Sequence, residues 1–201
     1  MAAAFLLCGL PPSAARAQVS VGVGLGVVGS SNLVRDSIVE VVSVRPQAAP
    51  QIGLRIETPL GGRYRVAGEL SVSHSSLMAR GEATSTKITG LTLWAPAVVL
   101  QAAVTPWLAG EARLGALIYA PSETESTLFS DGAPVTPVLG LGITAARALG
   151  DRLTGTLQLR YDLHRFTTNA LKSRGFTGET VVHRIALGIT LFRRFGADPI
   201  P

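Results

Sequence analysis

The sequence is poor in most of what a soluble domain of its size uses. Charged residues make up 15% of its 201 positions, against about 25% in a typical soluble domain. Of its 18 basic residues only Lys87 and Lys172 are lysine, so the lysine-rich outer face of a soluble β-protein is missing. The single cysteine, Cys8, excludes an internal disulfide and a cysteine-based metal centre. Aromatic residues are scarce at 5%. No stretch beyond the N-terminus approaches the roughly 20 consecutive apolar residues of a membrane helix. Yet hydrophobic residues reach 47%. Such a chain must enclose a large apolar core or turn apolar surface toward lipid.

The net charge is +5, but the arginines are scattered along alternating segments instead of clustered on one face. That excludes nucleic acid as an expected partner; anionic lipid headgroups suit scattered cationic loops better. Residues 1–17, MAAAFLLCGLPPSAARA, combine an apolar stretch, a Pro-Pro break and the small-x-small pattern Ala15-Arg16-Ala17. They are expected to be a secretory signal peptide cut before Gln18 and carrying Cys8 away with it.

From Gln18 the period is two. Val19, Val21, Val23, Leu25 and Val27 share one face, with Ser20, Gly22, Gly24 and Gly26 on the other, which is the pattern of a strand. The same alternation recurs from Gln51 to Thr58, from Tyr64 to Ser73, from Leu108 to Tyr119, from Leu139 to Ala146, from Leu153 to His164, and from Arg184 to Leu191, with a weaker fourth segment within Thr86 to Ala103, where Leu91 to Leu100 is apolar on both faces. Pro96 in the fourth segment requires an edge, a bulge or a shifted boundary there. The connections alternate in length. Tight turns fall at Gly61-Gly62, Thr105-Pro106 and Gly150-Asp151, and longer polar links at residues 30–49, 78–85, 121–134 and 167–178. Short turns at one end, long loops at the other, and an even strand count describe an up-and-down transmembrane barrel. Closure leaves no backbone edge unpaired in lipid.

The expected fold is therefore all-β: an eight-stranded antiparallel up-and-down transmembrane barrel over residues 18–195, after the signal peptide and before a short tail, 196–201. This segment resembles the small outer-membrane barrels of the OmpA/OmpX type. The last strand, Arg184 to Phe195, is similar to the C-terminal signal by which the barrel-assembly machinery recognises such clients, with Leu187, Ile189, Leu191 and Phe195 in one phase. The resemblance implies an outer-membrane location, outer-membrane lipid and lipopolysaccharide as surroundings, and a monomer. Aromatic girdles are expected from Tyr64, Trp107, Tyr119, Tyr161, Phe166, Phe192 and Phe195.

The candidate functional residues lie on the opposite phase. Arg55, Glu57, Arg65, Glu69, Glu111, Arg113, Arg160, Asp162 and Arg184 all fall on the inward face, where unpaired charge is costly. They are expected to form a salt-bridged plug in a lumen too narrow for an open channel, with a gate or polar conduit as the alternative. Neither a cofactor nor a metal is expected; His164 and His183 could meet across the last two strands, but no carboxylate cluster accompanies them. His74 and Ser76 share an outward face near the external end, an arrangement similar to part of the active site of lipid A deacylases, in which histidine activates serine. The nearest acid that follows it in sequence is Glu82, in the next loop. The Gly22–Gly26 run GVGLG lacks the helix a phosphate-binding loop needs. Three functions follow, in order of preference: a non-enzymatic structural or surface-contact barrel with a closed lumen, a lipid-modifying enzyme, and a narrow pore or carrier of a small hydrophobic ligand. In the first link, the alternating run from Ser37 to Val44 is expected to extend the first two strands above the membrane.

Overall fold

The computed structural model describes residues 18–36, 42–81, 84–122, 129, 134–173 and 180–196. The leader, Glu82 and most of the tail lie outside the described residues. The chain forms β1 (Val19–Ser30), β2 (Val34–Asp36), β3 (Val42–Pro46), β4 (Ala49–Gly61), β5 (Tyr64–Arg80), β6 (Ser85–Ala103), β7 (Leu108–Pro121), β8 (Val135–Ala148), β9 (Leu153–Phe166), the short helix α1 (Asn169–Ser173) and β10 (Thr180–Phe195).

Eight of these strands close into a ring. Sequential strands β4 to β10 pair antiparallel, β1 pairs with β4, and β1 also pairs with β10 from Val19↔Phe195 to Ser30↔Arg184. The remaining strands, β2 and β3, form a small hairpin at the external end. β3 stays on β5, the partner of β4, so the hairpin continues β1 and β4 upward. Of the run Ser37–Val44 expected to extend the first two strands, residues 42–44 lie in β3 and residues 37–41 lie outside the described residues.

The expected faces are present. Leu25, Ile52, Leu141, Leu157, Leu187 and Ile189 point outward and are 60%, 61%, 67%, 52%, 54% and 61% exposed, an uncovered apolar wall that only lipid would satisfy. From His183 to Phe195 on β10 this wall spans thirteen residues, or twelve rises, which at a tilt near 45° gives a height of about 28 Å. That matches the band of roughly 25 Å that outer-membrane barrels present to hydrocarbon.

Glycines thin the wall from within. A Cβ on Gly22 would meet the Phe192 ring at 2.6 Å, which the side chain could relieve by moving, whereas one on Gly26 would meet the Leu187 carbonyl oxygen at 2.5 Å, so the β1–β10 backbones would have to shift to admit it. At the turn between β4 and β5, Gly61 and Gly62 have φ of 117° and 57°, values that glycine adopts without steric cost.

Several expectations need correction. The link between β5 and β6 is not a long loop: both strands run to residues 80 and 85, leaving 81–84 as the connection. Pro96 makes neither an edge nor a bulge. The β6–β7 ladder skips Ala95 and Pro96 and resumes in unchanged register at Trp94↔Ile118 and Ala97↔Gly115. The Ala95 carbonyl accepts a hydrogen bond from Arg113 Nη2 at 3.2 Å. The aromatic girdle is smaller than expected. Tyr64, Trp107, Tyr161 and Phe195 are outside, but Tyr119, Phe166 and Phe192 are 1%, 3% and 5% exposed because they share the phase of the lumen.

Candidate functional site

The lumen has two storeys of opposite chemistry. The lower one is ionic. Arg55 on β4 lies with Nη2 3.0 Å from Glu111 Oε1 and Nη1 3.6 Å from Glu69 Oε2. The first contact is at ion-pair distance without hydrogen-bond alignment. Arg113 on β7 donates to Asp162 Oδ2 at 2.9 Å and lies 3.6 Å from Glu69. Arg160 on β9 bonds the same Glu69 carboxylate. Glu69 therefore joins three arginines from β4, β7 and β9, and it holds the walls together across the barrel axis.

Glu111 is held differently, by Thr144 Oγ1 and Gln101 Nε2, both at 2.6 Å, and by Gln158 Nε2 at 2.5 Å. These uncharged donors complete the lone pairs of a carboxylate that one arginine cannot satisfy. Gln101 was invisible in the sequence reading because its strand is apolar on both faces; its inward phase was the available signal.

The nine charged residues are not equally placed. Arg55, Glu57, Glu69, Glu111, Arg113, Arg160, Asp162 and Arg184 are 8% exposed or less. They comprise four arginines and four carboxylates, so the buried set is electrically balanced. Arg65 is different: its side chain is 56% exposed at the turn end, where it pairs with Glu57 at 3.0 Å. Arg184 faces Asp162 in the β9–β10 ladder, but no carboxylate of the described residues is in ion-pair contact with it. Its electrostatic neighbours are Tyr119, Asp162, Arg113 and Arg160. Beside the network is a cavity of 40 Å³, lined by Gly24, Gly26, Gly53, Arg55 and Arg160 among others, which is room for about one to three waters. Below it, a vestibule of 330 Å³ opens at the turn end.

The upper storey is apolar, which corrects the expectation of a polar lumen throughout. Leu33, Leu77, Leu91, Leu93, Leu117, Tyr119, Phe129, Val138, Phe166, Leu171 and Val182 are buried together. Tyr119 packs against Phe129 and Phe166 with ring centroids 6.4 and 5.1 Å away. Most of these side chains come from the inward positions of β5 to β10 at this end, so here the lumen closes by hydrocarbon contact instead of ion pairs. Burying each large side chain here stabilises by about 1.5–3 kcal/mol.

The histidines are apart. β10 pairs with β9 so that Val182, not His183, lies opposite His164. One residue of offset sends the two rings to opposite faces: His164 is inside, 2.5 Å from Tyr119 Oη, and His183 is outside, 2.6 Å from Tyr161 Oη. They do not form a joint site. His74 is exposed on the outer wall with Nδ1 3.0 Å from Thr92 Oγ1, and Ser76 lies opposite Gly90. The imidazole is thus directed along the sheet to threonine. Leu187, Ile189, Leu191 and Phe195 share the outward face of β10, and the Arg193 guanidinium sits 5.4 Å from the Phe195 ring centroid.

A closed eight-stranded ring with an apolar exterior and a filled interior defines the class. The solved structures agree on the fold. The outer membrane protein AlkL in lipid bilayers is similar with a TM-score of 0.56, 13% identity, and coverage of 92% of this chain and 93% of that one. The Yersinia pestis attachment invasion locus protein Ail matches with 0.51, 8%, 90% and 99%, and OprG of Pseudomonas aeruginosa with 0.50, 13%, 90% and 97%. No protein-family model and no curated protein sequence matches the chain. The protein is thus an eight-stranded barrel with the fold of small outer-membrane proteins.

Proposed function

We propose that this protein resides in the bacterial outer membrane as a monomeric, closed barrel, and that its role is structural or one of surface contact. The observation that carries this reading is the filled lumen. Four buried arginines and four buried carboxylates bridge the lower storey, and an aromatic-aliphatic cluster fills the upper one. An ion on this path would have to part a balanced ionic network and then cross hydrocarbon, both at a high free-energy cost.

A closed interior leaves the outer surfaces to act. The β2–β3 hairpin, the extended β5–β6 hairpin and the segment around α1 all stand at the external end, where lipopolysaccharide and other surfaces would meet them. Leu187, Ile189, Leu191 and Phe195 then serve as the strand that the assembly machinery reads, and lipid is the permanent partner of the wall. The lipid-modifying reading has less support, since among the described residues His74 bonds Thr92 Oγ1 through Nδ1 and makes no hydrogen bond to Ser76.

Planar-bilayer recording tests the closed lumen. The purified, refolded protein is expected to give no steady conductance above the bare membrane. A reproducible open level of the native protein would replace this reading with that of a pore.

A further inference from the structure

One seam of the barrel is not closed to its end. β7 and β8 are laddered up to Ile118↔Val135, and β9 and β10 up to Phe166↔Thr180. Between them, the β8–β9 ladder stops at Val138↔His164, leaving Val135–Pro137 opposite the last residues of β9 without ladder bonds. Pro137 has no N–H to contribute. A side-chain bond from Thr136 Oγ1 to the Arg165 carbonyl, at 2.6 Å, crosses the gap.

The gap holds a pocket of 520 Å³, within the range of about 300–1,000 Å³ that binds small organic molecules. Its lining comes from both sides of the wall. Leu139, Leu163 and Val181 belong to the outward apolar face, 62%, 38% and 51% exposed, whereas Tyr119, His164 and Phe166 are lumen residues at 4% or less. The pocket thus leads from the upper edge of the lipid-facing wall into the aromatic storey. It ends there, because the ionic network closes the barrel below.

Its inner end carries an unmet polar group. His164 Nε2 is engaged by Tyr119 Oη at 2.5 Å, while His164 Nδ1 is buried without a hydrogen-bond partner among the described residues. If Tyr119 donates, Nδ1 bears a proton and needs an acceptor; if Tyr119 accepts, Nδ1 needs a donor. A hydroxyl group answers both tautomers, and the apolar lining accepts the hydrocarbon attached to it.

We propose that the β8–β9 seam is a lateral binding site for a hydrocarbon bearing a single hydroxyl, whose oxygen bonds His164 Nδ1. This rests on the reading of the outer wall as lipid-facing. Two sources supply that chemistry: a free alcohol or phenol dissolved in the membrane, and a hydroxyacyl chain of an outer-leaflet lipid.

The test is photolabelling of the full barrel in phosphatidylcholine vesicles with an octanol carrying a diazirine, adducts being located by peptide sequencing in a mass spectrometer. Adducts are expected to concentrate on residues 134–139 and 163–167, and to be displaced by excess octanol or 4-butylphenol but not by octane. His164→Leu should lower labelling at the seam about tenfold, the loss expected for one buried hydrogen bond and its orphaned partner. Val135→Trp, an exposed position at the mouth, should lower it without touching the core, so a folding defect of the first variant cannot decide the result. Protection by lipid A added to the vesicles assigns the site to a hydroxyacyl chain; protection by octanol alone assigns it to a free alcohol. Labelling spread evenly over the apolar wall, equal competition by octane, or seam labelling unchanged in both variants overturns the proposal. Failure of the lipid-facing reading gives a different result, no adduct anywhere on the outer wall.

Discussion

Removing Glu69 tests the lower storey where it is most connected. In Glu69→Ala, Arg55 keeps Glu111 at 3.0 Å and Arg113 keeps Asp162 at 2.9 Å. Arg160 loses the carboxylate that it bonds, and no other carboxylate of the described residues is in ion-pair contact with it. The buried set falls from four arginines against four carboxylates to four against three, with Arg160 only 5% exposed. Removing one partner of a buried ion pair costs about 3–5 kcal/mol, which lowers the folded-to-unfolded ratio by roughly 10²–10³ or more. The assay is urea unfolding of the refolded barrel in vesicles, read by the difference in gel mobility between unheated and boiled samples. Two companions isolate the cause. Arg65→Ala, at an exposed pair, should cost no more than about 1 kcal/mol. Glu69→Leu combined with Arg160→Met removes both charges and should recover most of the loss, since an apolar substitute for a buried pair is often neutral. If Glu69→Ala costs no more than Arg65→Ala, water screens the lumen and the ionic plug does not hold the walls.

Other consequences follow from the same geometry. Leu187→Arg, on the outward wall, should cost about 2–4 kcal/mol in the vesicle unfolding assay; no loss would mean that this face does not meet hydrocarbon. Gly26→Ala should weaken the β1–β10 seam by about 1–3 kcal/mol through overpacking, since its Cβ would lie 2.5 Å from the Leu187 carbonyl oxygen, whereas Gly110→Ala, with nothing within 4 Å, should leave the unfolding midpoint nearly unchanged. Phe166→Ala should cost about 3–5 kcal/mol by opening a cavity in the upper storey, and a cost near zero would show that this cluster is not packed.

What was legible in the sequence follows from the period of two. Alternation assigned Leu157 and Leu187 to one face and Arg160 and Asp162 to the other, and the spacing of Gly61-Gly62, Thr105-Pro106 and Gly150-Asp151 gave the hairpin order. Periodicity carries no information on height along the barrel, so the apolar upper storey was not legible. Tyr119 and Phe166 lie near strand ends, as girdle residues do, but their phase is that of Arg113 and Asp162, which was legible and places them inside the ring. Pairs between strands were equally hidden. The one-residue offset that separates His164 from His183 depends on how two strands meet, and the convergence of Arg55, Arg113 and Arg160 on Glu69 depends on closure across the axis. The unladdered seam at Pro137 had a visible signal in that proline, but its consequence needed the position of β9.

The central claim is that the outward wall of this barrel lies in lipid, and its two tryptophans report on that directly. Trp94 on β6 and Trp107 at the β6–β7 turn are 43% and 59% exposed on the outer surface. In vesicles of phosphatidylcholine brominated at different depths, the Trp107→Phe variant leaves Trp94 as reporter, and its fluorescence should be quenched by bromines along the acyl chain. The Trp94→Phe variant leaves Trp107, which should respond most to bromines near the headgroup. Insensitivity of both tryptophans to every brominated lipid, together with ready quenching by aqueous iodide, would contradict the account and make the apolar wall a surface that meets water or protein.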